Sequence, residues 1–268
     1  MANLKYLYNR SIDIYRNQGI KRLVKSSGRF LIGNIIGSDR YYRVKYDIRQ
    51  FRQQRKHGPV PHALDIRSAS PKTIKRMSST DPSLKWQKAG LIEDGDWDRS
   101  DCLFKNYDLY IAFQNRFESG CSWRDTGFYQ RASNQIKEGR IKWGCQTVDE
   151  LDARCEALDD LYTSIKKNGY IDRKDMTKNK GELPATDSFA AISSSPLHQY
   201  DEIAVDVGRS GELLFVDGRN RLAICKILDI DKIPVRIVRR HEIWQNHRQD
   251  IIEKDEKAYN HPDLVDLI

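Results

Sequence analysis

The chain has 268 residues, of which 39% are hydrophobic and 31% are charged, and its net charge is +8. This composition is typical of a globular protein with a sizeable core, and no apolar run approaches the roughly 20 residues of a membrane-spanning helix. Because the N-terminus is charged and lacks the long apolar segment of a secretory signal, we expect a cytoplasmic protein.

Cysteine usage points away from disulfides and structural zinc. The number of cysteines is odd, and no two of them have the Cys-x-x-Cys spacing that is typical of metal or redox sites. We therefore predict reduced, buried thiols in a reducing compartment. The five residues are Cys102, Cys121, Cys145, Cys155 and Cys225.

The positive charge is concentrated at the N-terminus. Residues 1–56 contain five lysines and nine arginines against three aspartates and no glutamate, whereas the rest of the chain is mildly acidic. Within this arm, residues 1–36 alternate apolar and basic side chains as amphipathic helices do. Such helices can lie on an anionic membrane at the inner face, pack on their own domain or a second subunit, or contact nucleic acid.

The middle of the chain is mixed in character. A strongly basic tract at 40–57 ends at a Gly-Pro pair, and residues 61–74 indicate a short strand that enters a turn. Residues 78–101 are polar and rich in turn formers. Residues 103–140 are mostly helical in pattern, with a loop predicted at 120–130.

A long helix is indicated after residue 146. Thr147 and Glu150 form the spacing of a capping box, and Asn168-Gly169 is a typical helix stop. Its apolar residues recur at steps of three or four, as one face of a helix requires. They are Val148, Leu151, Cys155, Leu158, Leu161 and Ile165. A long polar loop is predicted at 172–200.

The last third of the chain indicates two strands, a helix and a third strand. The apolar segments 203–207 and 213–216 flank Gly-Arg-Ser-Gly, which is a hairpin signal. A helix is predicted at 219–228, and a strand follows at 233–238. Between the second strand and the helix stands the sequence Asp-Gly-Arg-Asn-Arg, at 217–221.

This corner has the components of a phosphate site. A helix N-terminus offers unpaired backbone N–H groups and partial positive charge, and Gly218 would let a ligand approach the backbone closely. Arg219 and Arg221 carry cations that suit phosphate oxygens, and Asp217 could hold a metal ion or accept a proton. The alternative is ordinary turn and cap chemistry with surface arginines.

The segments LYTSIKKNGY and FVDGRNRLAICKILDIDKIPVRIV resemble the ParB/sulfiredoxin-like domain over residues 155–241. The resemblance implies an α+β fold with a small mixed sheet, packed helices and an N-terminal amphipathic helical arm. It divides the chain into a basic arm at 1–57, a domain at 58–241 and a C-terminal tail at 242–268. The domain would carry a large helical insertion at about 78–146.

Among the branches of that family, the corner is most similar to the free serine kinases. Sulfiredoxins place a reactive cysteine where this chain has Arg219, so sulfinic-acid repair is disfavoured. Partition ParB proteins have a glutamate there and a following DNA-binding domain, whereas only residues 242–268 follow here. The kinases have Asp-Gly-His-His-Arg, which Asp217, Gly218 and Arg221 match.

The resemblance therefore implies a kinase that uses ATP or ADP with Mg²⁺. Phosphates would lie on Gly218, Arg219, Asn220 and Arg221, Asp217 would serve as metal ligand or base, and the acceptor would be a hydroxyl. This acceptor could belong to a small molecule, a glycan or a lipid-linked sugar. The alternatives are a nucleotide-gated, DNA-binding ParB-like module and a nuclease or other hydrolase on the same fold.

A second acidic motif, EDGDWD, supplies further candidates. Asp96 and Asp98 could bind Mg²⁺ or act as the base, and Trp97 could stack on a sugar or nucleobase. The alternative is an acidic surface turn that the tryptophan anchors to the core.

Polar residues elsewhere are candidates for substrate and nucleotide binding. The segment ESGCSWRDTGFYQ offers Glu118, Arg124, Asp125 and Tyr129 as a substrate loop, although a structural loop is the plainer interpretation. His241 follows the last strand and is expected to reach the phosphate corner, unless it is a solvated strand end.

Overall fold

The computed structural model describes residues 39–178, 197–254 and 261–267. Two compact units are distinguished, one of residues 1–45 with 195–197 and one of all other residues. Of the first unit, the described residues are 39–45 and 197, and the predicted helices at 1–36 lie outside the described part. In the ranges described, no helix has the length and apolarity required to cross a membrane.

The chain forms an α+β fold with one mixed six-stranded sheet, in agreement with the predicted class. The helices are α1 Asp39–His57, α2 Lys85–Lys88, α3 Asp108–Phe117, α4 Gly127–Lys137, α5 Val148–Asn168, α6 Arg173–Lys178, α7 Arg219–Ile227 and α8 Glu242–Glu253. The strands are β1 Ile66–Ala69, β2 Arg76–Met77, β3 Leu91–Glu93, β4 Ile203–Val207, β5 Leu213–Asp217 and β6 Ile233–His241.

Strand β6 is the centre of the sheet. It pairs in parallel with β4 on one edge, and on the other edge with antiparallel β1 and then parallel β3. Strand β4 pairs with antiparallel β5, whose outer edge carries β2. The register aligns Asp217 of β5 with Ala204 of β4, and Ala204 with Arg236 of β6. These three residues thus form a row across the sheet.

One face of the sheet is apolar and packs against α3, α4, α5 and α7. Alternate residues along each strand point to the same face, so this core draws on every second residue of β4, β5 and β6. The sheet contributes Ile203, Val205, Val207, Phe215, Val235 and Ile237, and the helices contribute Leu109, Phe113, Ile136, Leu151, Leu158 and Leu222.

On the opposite face, Ala204, Val216 and Val238 form a small apolar cluster beside buried charged side chains. This face is covered by the segment 84–97, which includes α2 and β3. Trp86 and Trp97 of this segment lie over two arginines of β6. Helix α1 is hydrogen-bonded to this segment: Tyr46 Oη donates to the backbone carbonyl of Trp86 at 2.8 Å. Arg49 donates to the backbone carbonyl of Ala89 at 2.6 Å. The candidate site lies on this face.

Several local predictions are confirmed. Thr147 and Glu150 form both hydrogen bonds of the capping box, and α5 ends at Asn168 before Gly169 at φ +74°. The strands predicted at 203–207 and 213–216 pair as an antiparallel hairpin. The helix predicted at 219–228 is present as α7.

Residues 242–268, predicted as a tail, contain α8 and a 3₁₀ helix at Pro262–Leu267 that are built into the fold. Asp263 of this 3₁₀ helix is fully buried. Its carboxylate accepts hydrogen bonds from Arg240 at 2.6 to 3.0 Å and from Trp244 Nε1 at 2.8 Å. The segment therefore completes the buried surroundings of β6.

Three details differ from the predictions. The loop predicted at 120–130 contains a 3₁₀ turn at Trp123–Asp125, and α4 begins at Gly127, because the Thr126 side chain caps its N-terminus. All five cysteines are free, but only three are buried as predicted, because Cys102 is exposed and Cys121 is half-buried. In the predicted loop at 172–200, α6 occupies its start, while residues 179–196 lie outside the described residues.

Candidate functional site

Gly218 turns the chain from β5 into α7 at a position that requires glycine. Its φ is +91°, in the left-handed region that side chains disfavour. A Cβ at this position would lie 3.1 Å from the Cα of Ile203 on the neighbouring strand. The corner glycine is therefore needed both for its backbone conformation and for close packing on β4.

The N-terminus of α7 has no side-chain cap at Gly218. The first backbone N–H groups of a helix lack intrahelical acceptors, so those of Arg219, Asn220 and Arg221 can bind an anion. Asn220 Oδ1 is also buried and lacks a hydrogen-bond partner among the residues described. Asp217 stands at the same corner with 35% of its side chain exposed.

Lys85 joins two carboxylates at this corner. Its Nζ lies 2.6 Å from Asp217 Oδ2 and 2.6 Å from Asp201 Oδ1. The lysine side chain is only 13% exposed, so water screens these contacts weakly. Burial raises the pKa of Asp201, but Lys85 outweighs it and the net pKa is lowered. The corner thus brings one lysine side chain between two aspartates.

The two arginines of the corner differ in environment. Arg219 is exposed, and its Nη1 donates to Tyr107 Oη at 2.8 Å. Arg221 is mostly buried and donates to Tyr170 Oη at 2.9 Å, to Glu202 Oε2 at 3.3 Å and to the backbone carbonyl of Asp201 at 2.8 Å. Arg219 can therefore turn to a ligand. Arg221 instead links the residues that precede β4, Asp201 and Glu202, to Tyr170.

Glu202 explains why Arg221 is held so firmly. Its side chain is 1% exposed, and burial raises its pKa in spite of Arg221. It also accepts hydrogen bonds from Tyr170 Oη and from the backbone N–H of Arg173. Removing Arg221 would leave this carboxylate buried without its cation, so the arginine has a structural role at the corner.

Arg236, in the same sheet row as Asp217, is fully buried and its guanidinium carbon lies 3.9 Å from the centre of the Trp86 ring. None of its three side-chain nitrogens has a hydrogen-bond acceptor within the described part of the chain. Burial lowers its pKa, opposed by the nearby carboxylates of Asp201, Asp217 and Asp206. Behind the corner, the structure therefore has a buried cation, Arg236, that lies near carboxylates but donates no hydrogen bond to them.

Arg239, three residues further along β6, differs from Arg236 because its guanidinium has hydrogen-bond acceptors. It stacks on Trp97 at 3.8 Å, and it donates to Asp206 Oδ2 at 3.1 Å and to Glu93 Oε2 at 2.8 Å. A further bond goes to Thr80 Oγ1. This arginine is a satisfied structural cation.

The EDGDWD motif lies away from the corner. Asp98 is 1% exposed and binds Arg209 in the β4–β5 hairpin turn, and Asp96, which is 70% exposed, binds the same arginine. Burial would raise the pKa of Asp98, but Arg209 lowers it to about 2. Because this turn precedes Leu213 and Asp217 ends the strand, the two sites are separated by about 13 Å along β5.

His241 and Trp97 lie with that motif and not with the corner. His241 pairs with Glu93 at the end of β6, and its Nε2 lies 2.9 Å from the carbonyl oxygen of Gly95. Its Nδ1 accepts the backbone N–H of Ile243 at 3.1 Å, which caps α8. The Trp97 ring lies 5.6 Å from the His241 ring. These residues fasten β3 and the hairpin.

Of the four polar residues predicted as a substrate loop, two bind a carboxylate of α5 and two do not. Arg124 and Tyr129 both bind Asp152 of α5, at 2.7 and 2.5 Å. Burial and Asp152 raise the pKa of Tyr129 to about 12, so the phenol stays protonated and donates. Glu118 accepts a weak bond from Gln114 at 3.4 Å, and Asp125 lies in the 3₁₀ turn. The structure does not bring them to Asp217.

Sequence reasoning did not single out Lys85, Asp201 and Arg236. Lys85 lies in a polar, turn-rich segment, and Asp201 precedes β4 in a stretch interpreted as loop. Arg236 had a visible signal, because a charge interrupts the apolar run Ile-Pro-Val-Arg-Ile-Val of a central strand.

Chemically, the corner offers main-chain donors, the exposed cation Arg219, the buried cations Lys85 and Arg236, and the carboxylates of Asp201 and Asp217. Such a set suits an anionic ligand beside a group that exchanges a proton or binds a metal ion. In comparisons with known proteins, no family model matches this chain, and neither a curated protein nor a solved structure does.

Proposed function

We propose that this protein is a nucleotide-dependent phosphotransferase that acts on a hydroxyl group, with its site at the corner 217–221. The backbone N–H groups at the start of α7 and the side chain of Arg219 bind phosphate oxygens. Asp217 faces the same opening and holds the metal ion or accepts the hydroxyl proton. Phosphoryl transfer depends mainly on positioning and charge neutralisation, which these groups supply.

The observation that carries the proposal is the contact of Lys85 with Asp217 and Asp201, both at 2.6 Å, beside an uncapped helix N-terminus. An ammonium group at this point can neutralise charge that develops on a transferred phosphoryl group. The same contact lowers the pKa of Asp201, which lies beside Asp217 at this corner.

The corner also suits Mg²⁺ when a nucleotide brings part of the coordination. Mg²⁺ is usually held by one or two carboxylates together with substrate phosphates and water. Asp217 and Asp201 can supply those carboxylates. Within residues 39–178, 197–254 and 261–267 no cluster of three or more His, Cys, Asp or Glu side chains has the arrangement of a metal site. We therefore expect Mg²⁺ to bind with the nucleotide and weakly without it.

The order of elements supports the proposal. Helix α5, the hairpin of β4 and β5, the glycine corner, α7 and β6 follow one another as in the ParB/sulfiredoxin-like domain that the sequence resembles. That resemblance assigns phosphate binding to this corner. The acceptor under this proposal is a small molecule, a glycan or a lipid-linked sugar, and the nucleotide is ATP or ADP.

Calorimetry with ATP and ADP, with and without Mg²⁺, tests the nucleotide part of the proposal. Binding that requires Mg²⁺ and weakens in Asp217→Asn is the expected result. The Asp96→Asn variant is the matched control, because this aspartate lies near the hairpin turn and should leave affinity unchanged. Absence of binding by both nucleotides in the intact protein would refute the proposal.

Product analysis tests the reaction itself. The protein is incubated with γ-labelled ATP or β-labelled ADP and a panel of hydroxyl compounds that includes serine, simple sugars and glycans. Label that appears on an acceptor supports a kinase. Nucleotide consumption without labelled acceptor, or cleavage of added DNA, would instead indicate a hydrolase or a nuclease.

A further inference from the structure

Two arginines of the central strand stack on tryptophans of the same covering segment, but they differ in hydrogen bonding. Arg239 on Trp97 has acceptors in Asp206, Glu93 and Thr80. Arg236 on Trp86 has none among the described residues, although it is 0% exposed. The hydrogen-bond donors of Arg239 are therefore occupied, whereas those of Arg236 are available to a ligand.

A buried guanidinium without acceptors is costly for the folded protein. Its five N–H donors lose their bonds to water, and stacking on an aromatic ring replaces only part of that energy. The acids whose charges act on it do not accept its hydrogen bonds: Asp201 and Asp217 are bound to Lys85, and Asp206 is bound to Arg239. Such a group is expected where a ligand supplies the missing acceptors.

We propose that Arg236 is an oxyanion-binding residue that donates to the terminal phosphate of the nucleotide bound at the corner. This inference rests on the proposed function and extends its site inward from α7 to β6. The guanidinium can offer a phosphate group two parallel N–H donors, in addition to the contacts that Arg219 makes at the start of α7.

The sheet register gives the direction of this extension. Asp217, Ala204 and Arg236 occupy one row across β5, β4 and β6. Two strand spacings separate the outer residues, about 10 Å between Cα atoms, which is a distance that a phosphate chain can span. Ala204 between them has a small side chain but is itself fully buried, so a ligand reaches along the row only where the covering segment gives way.

The short helix α2 links the corner to Arg236. Its first residue, Lys85, contacts Asp217, and its second, Trp86, covers Arg236. A phosphate that pairs with Lys85 is therefore one residue away from the ring above Arg236. Access to the guanidinium requires Trp86 to move, and ligand binding should change the environment of this indole.

The formal charges around Arg236 are balanced before a ligand binds. The two cations Lys85 and Arg236 are matched by the two aspartates Asp201 and Asp217, so the formal charges of these four side chains sum to zero. A nucleotide that arrives with Mg²⁺ remains anionic, because the metal ion offsets only part of the phosphate charge, so it adds negative charge beside the two cations. The buried cation can then exchange long-range attraction to carboxylates for direct bonds to phosphate oxygens.

Calorimetry on the full chain tests the inference, with ATP, ADP and tripolyphosphate as probes in the presence of Mg²⁺. The variants are Arg236→Met, Arg236→Lys and Arg76→Met. Arg76→Met is the control, because this substitution removes the same charge from the outer strand β2. In the natural chain, Arg76 pairs there with Glu212. We expect Arg236→Met to weaken binding by at least about tenfold, Arg236→Lys to weaken it less, and Arg76→Met to leave it unchanged.

The outcomes separate this inference from the proposed function. Nucleotide binding that is unchanged in Arg236→Met and Arg236→Lys would overturn the role of Arg236 while the phosphotransferase proposal stands. Binding of tripolyphosphate alone, lost in Arg236→Met, would support the oxyanion site and reject the nucleotide. If the intact protein binds none of the three probes, both are rejected.

A thermal melt without ligand shows that any loss of affinity is local. Because Arg236 makes no hydrogen bond in the described structure, Arg236→Met should melt at the same or a higher temperature than the natural chain. Trp86→Phe supplies the second readout, since the ligand-induced change in tryptophan fluorescence should be reduced in this variant. A fluorescence change that persists in full would place the ligand away from Arg236 and overturn the inference.

Discussion

Lys85 Nζ lies 2.6 Å from Asp217 Oδ2, although 132 positions separate the two residues in the chain. The contact ties the segment that covers the sheet to the end of β5. It also places an ammonium group at the corner where α7 begins. The same nitrogen serves Asp201, so one side chain stabilises both carboxylates of the site.

We expect Lys85→Met to lower the free energy of unfolding by about 1–3 kcal/mol, because two partly buried carboxylates lose a charged donor. Urea unfolding at neutral pH measures the change. Lys88→Met is the control from the same short helix. Its partner Glu93 keeps Arg239 when the lysine is removed, so the effect should be smaller. Equal losses in the two variants would contradict the shared role of Lys85.

The two arginines of the corner should respond differently to substitution. Arg221→Met is expected to destabilise the protein by about 3–5 kcal/mol, because Glu202 would remain buried without its cation. Arg219→Met should change stability by less than about 0.5 kcal/mol, because the side chain is exposed. Thermal unfolding of both variants measures the difference, and a comparable loss in Arg219→Met would show that its bond to Tyr107 is structural.

Gly218→Ala separates backbone strain from steric contact. A non-glycine residue in the left-handed region costs about 1–2 kcal/mol, and at Gly218 the new Cβ would also press on the Cα of Ile203 at 3.1 Å. Gly120→Ala is the control, since its φ is +73° but nothing lies within 4 Å of its Cβ position. We expect the first variant to lose clearly more stability in urea unfolding, and equal losses would show that the contact with β4 relaxes.

Asp98 should make stability depend on acid pH. Its pKa is about 2 in the folded protein, below the value of about 3.9 in an unfolded chain, because Arg209 outweighs burial. A carboxyl group with a lowered pKa stabilises the fold above its unfolded pKa and loses this effect as pH falls toward 2. The contribution at neutral pH is about 2 kcal/mol.

The test compares unfolding of the natural chain with Asp98→Asn between pH 5 and pH 2.5. The variant should be less stable at pH 5, and the difference should shrink as pH falls. Asp96→Asn is the control, because this aspartate binds the same arginine but is 70% exposed. A difference that stays constant with pH would show that Asp98 acts through packing and not through its charge.

Local signals in the sequence predicted the elements around the site. The capping box at Thr147, the glycine stop at Gly169 and the alternation in β4 and β5 each act over a few residues, so they can be read without knowledge of the fold. The capping box, the glycine stop and the hairpin are confirmed. At Gly218 the structure adds a left-handed conformation, which suits glycine.

The composition of the site could not be predicted in this way. Lys85 meets Asp201 across 116 positions, and Asp98 meets Arg209 across 111. Which of several acidic residues turns to a given cation depends on strand register, which hydrophobic pattern alone does not specify for a polar segment. The sequence therefore offered Asp96 and Asp98 as candidates and did not point to Asp201, whose place beside Asp217 follows from the pairing of β4, β5 and β6.

The bond between Arg240 and Asp263 bears on how the protein can be shortened. A chain that stops after α8 would retain every strand of the sheet, yet the guanidinium groups of Arg240 and Arg248 would lose the carboxylate that they share. Two like charges would then face each other in the interior. A shortened version intended for expression should accordingly extend at least to Leu267.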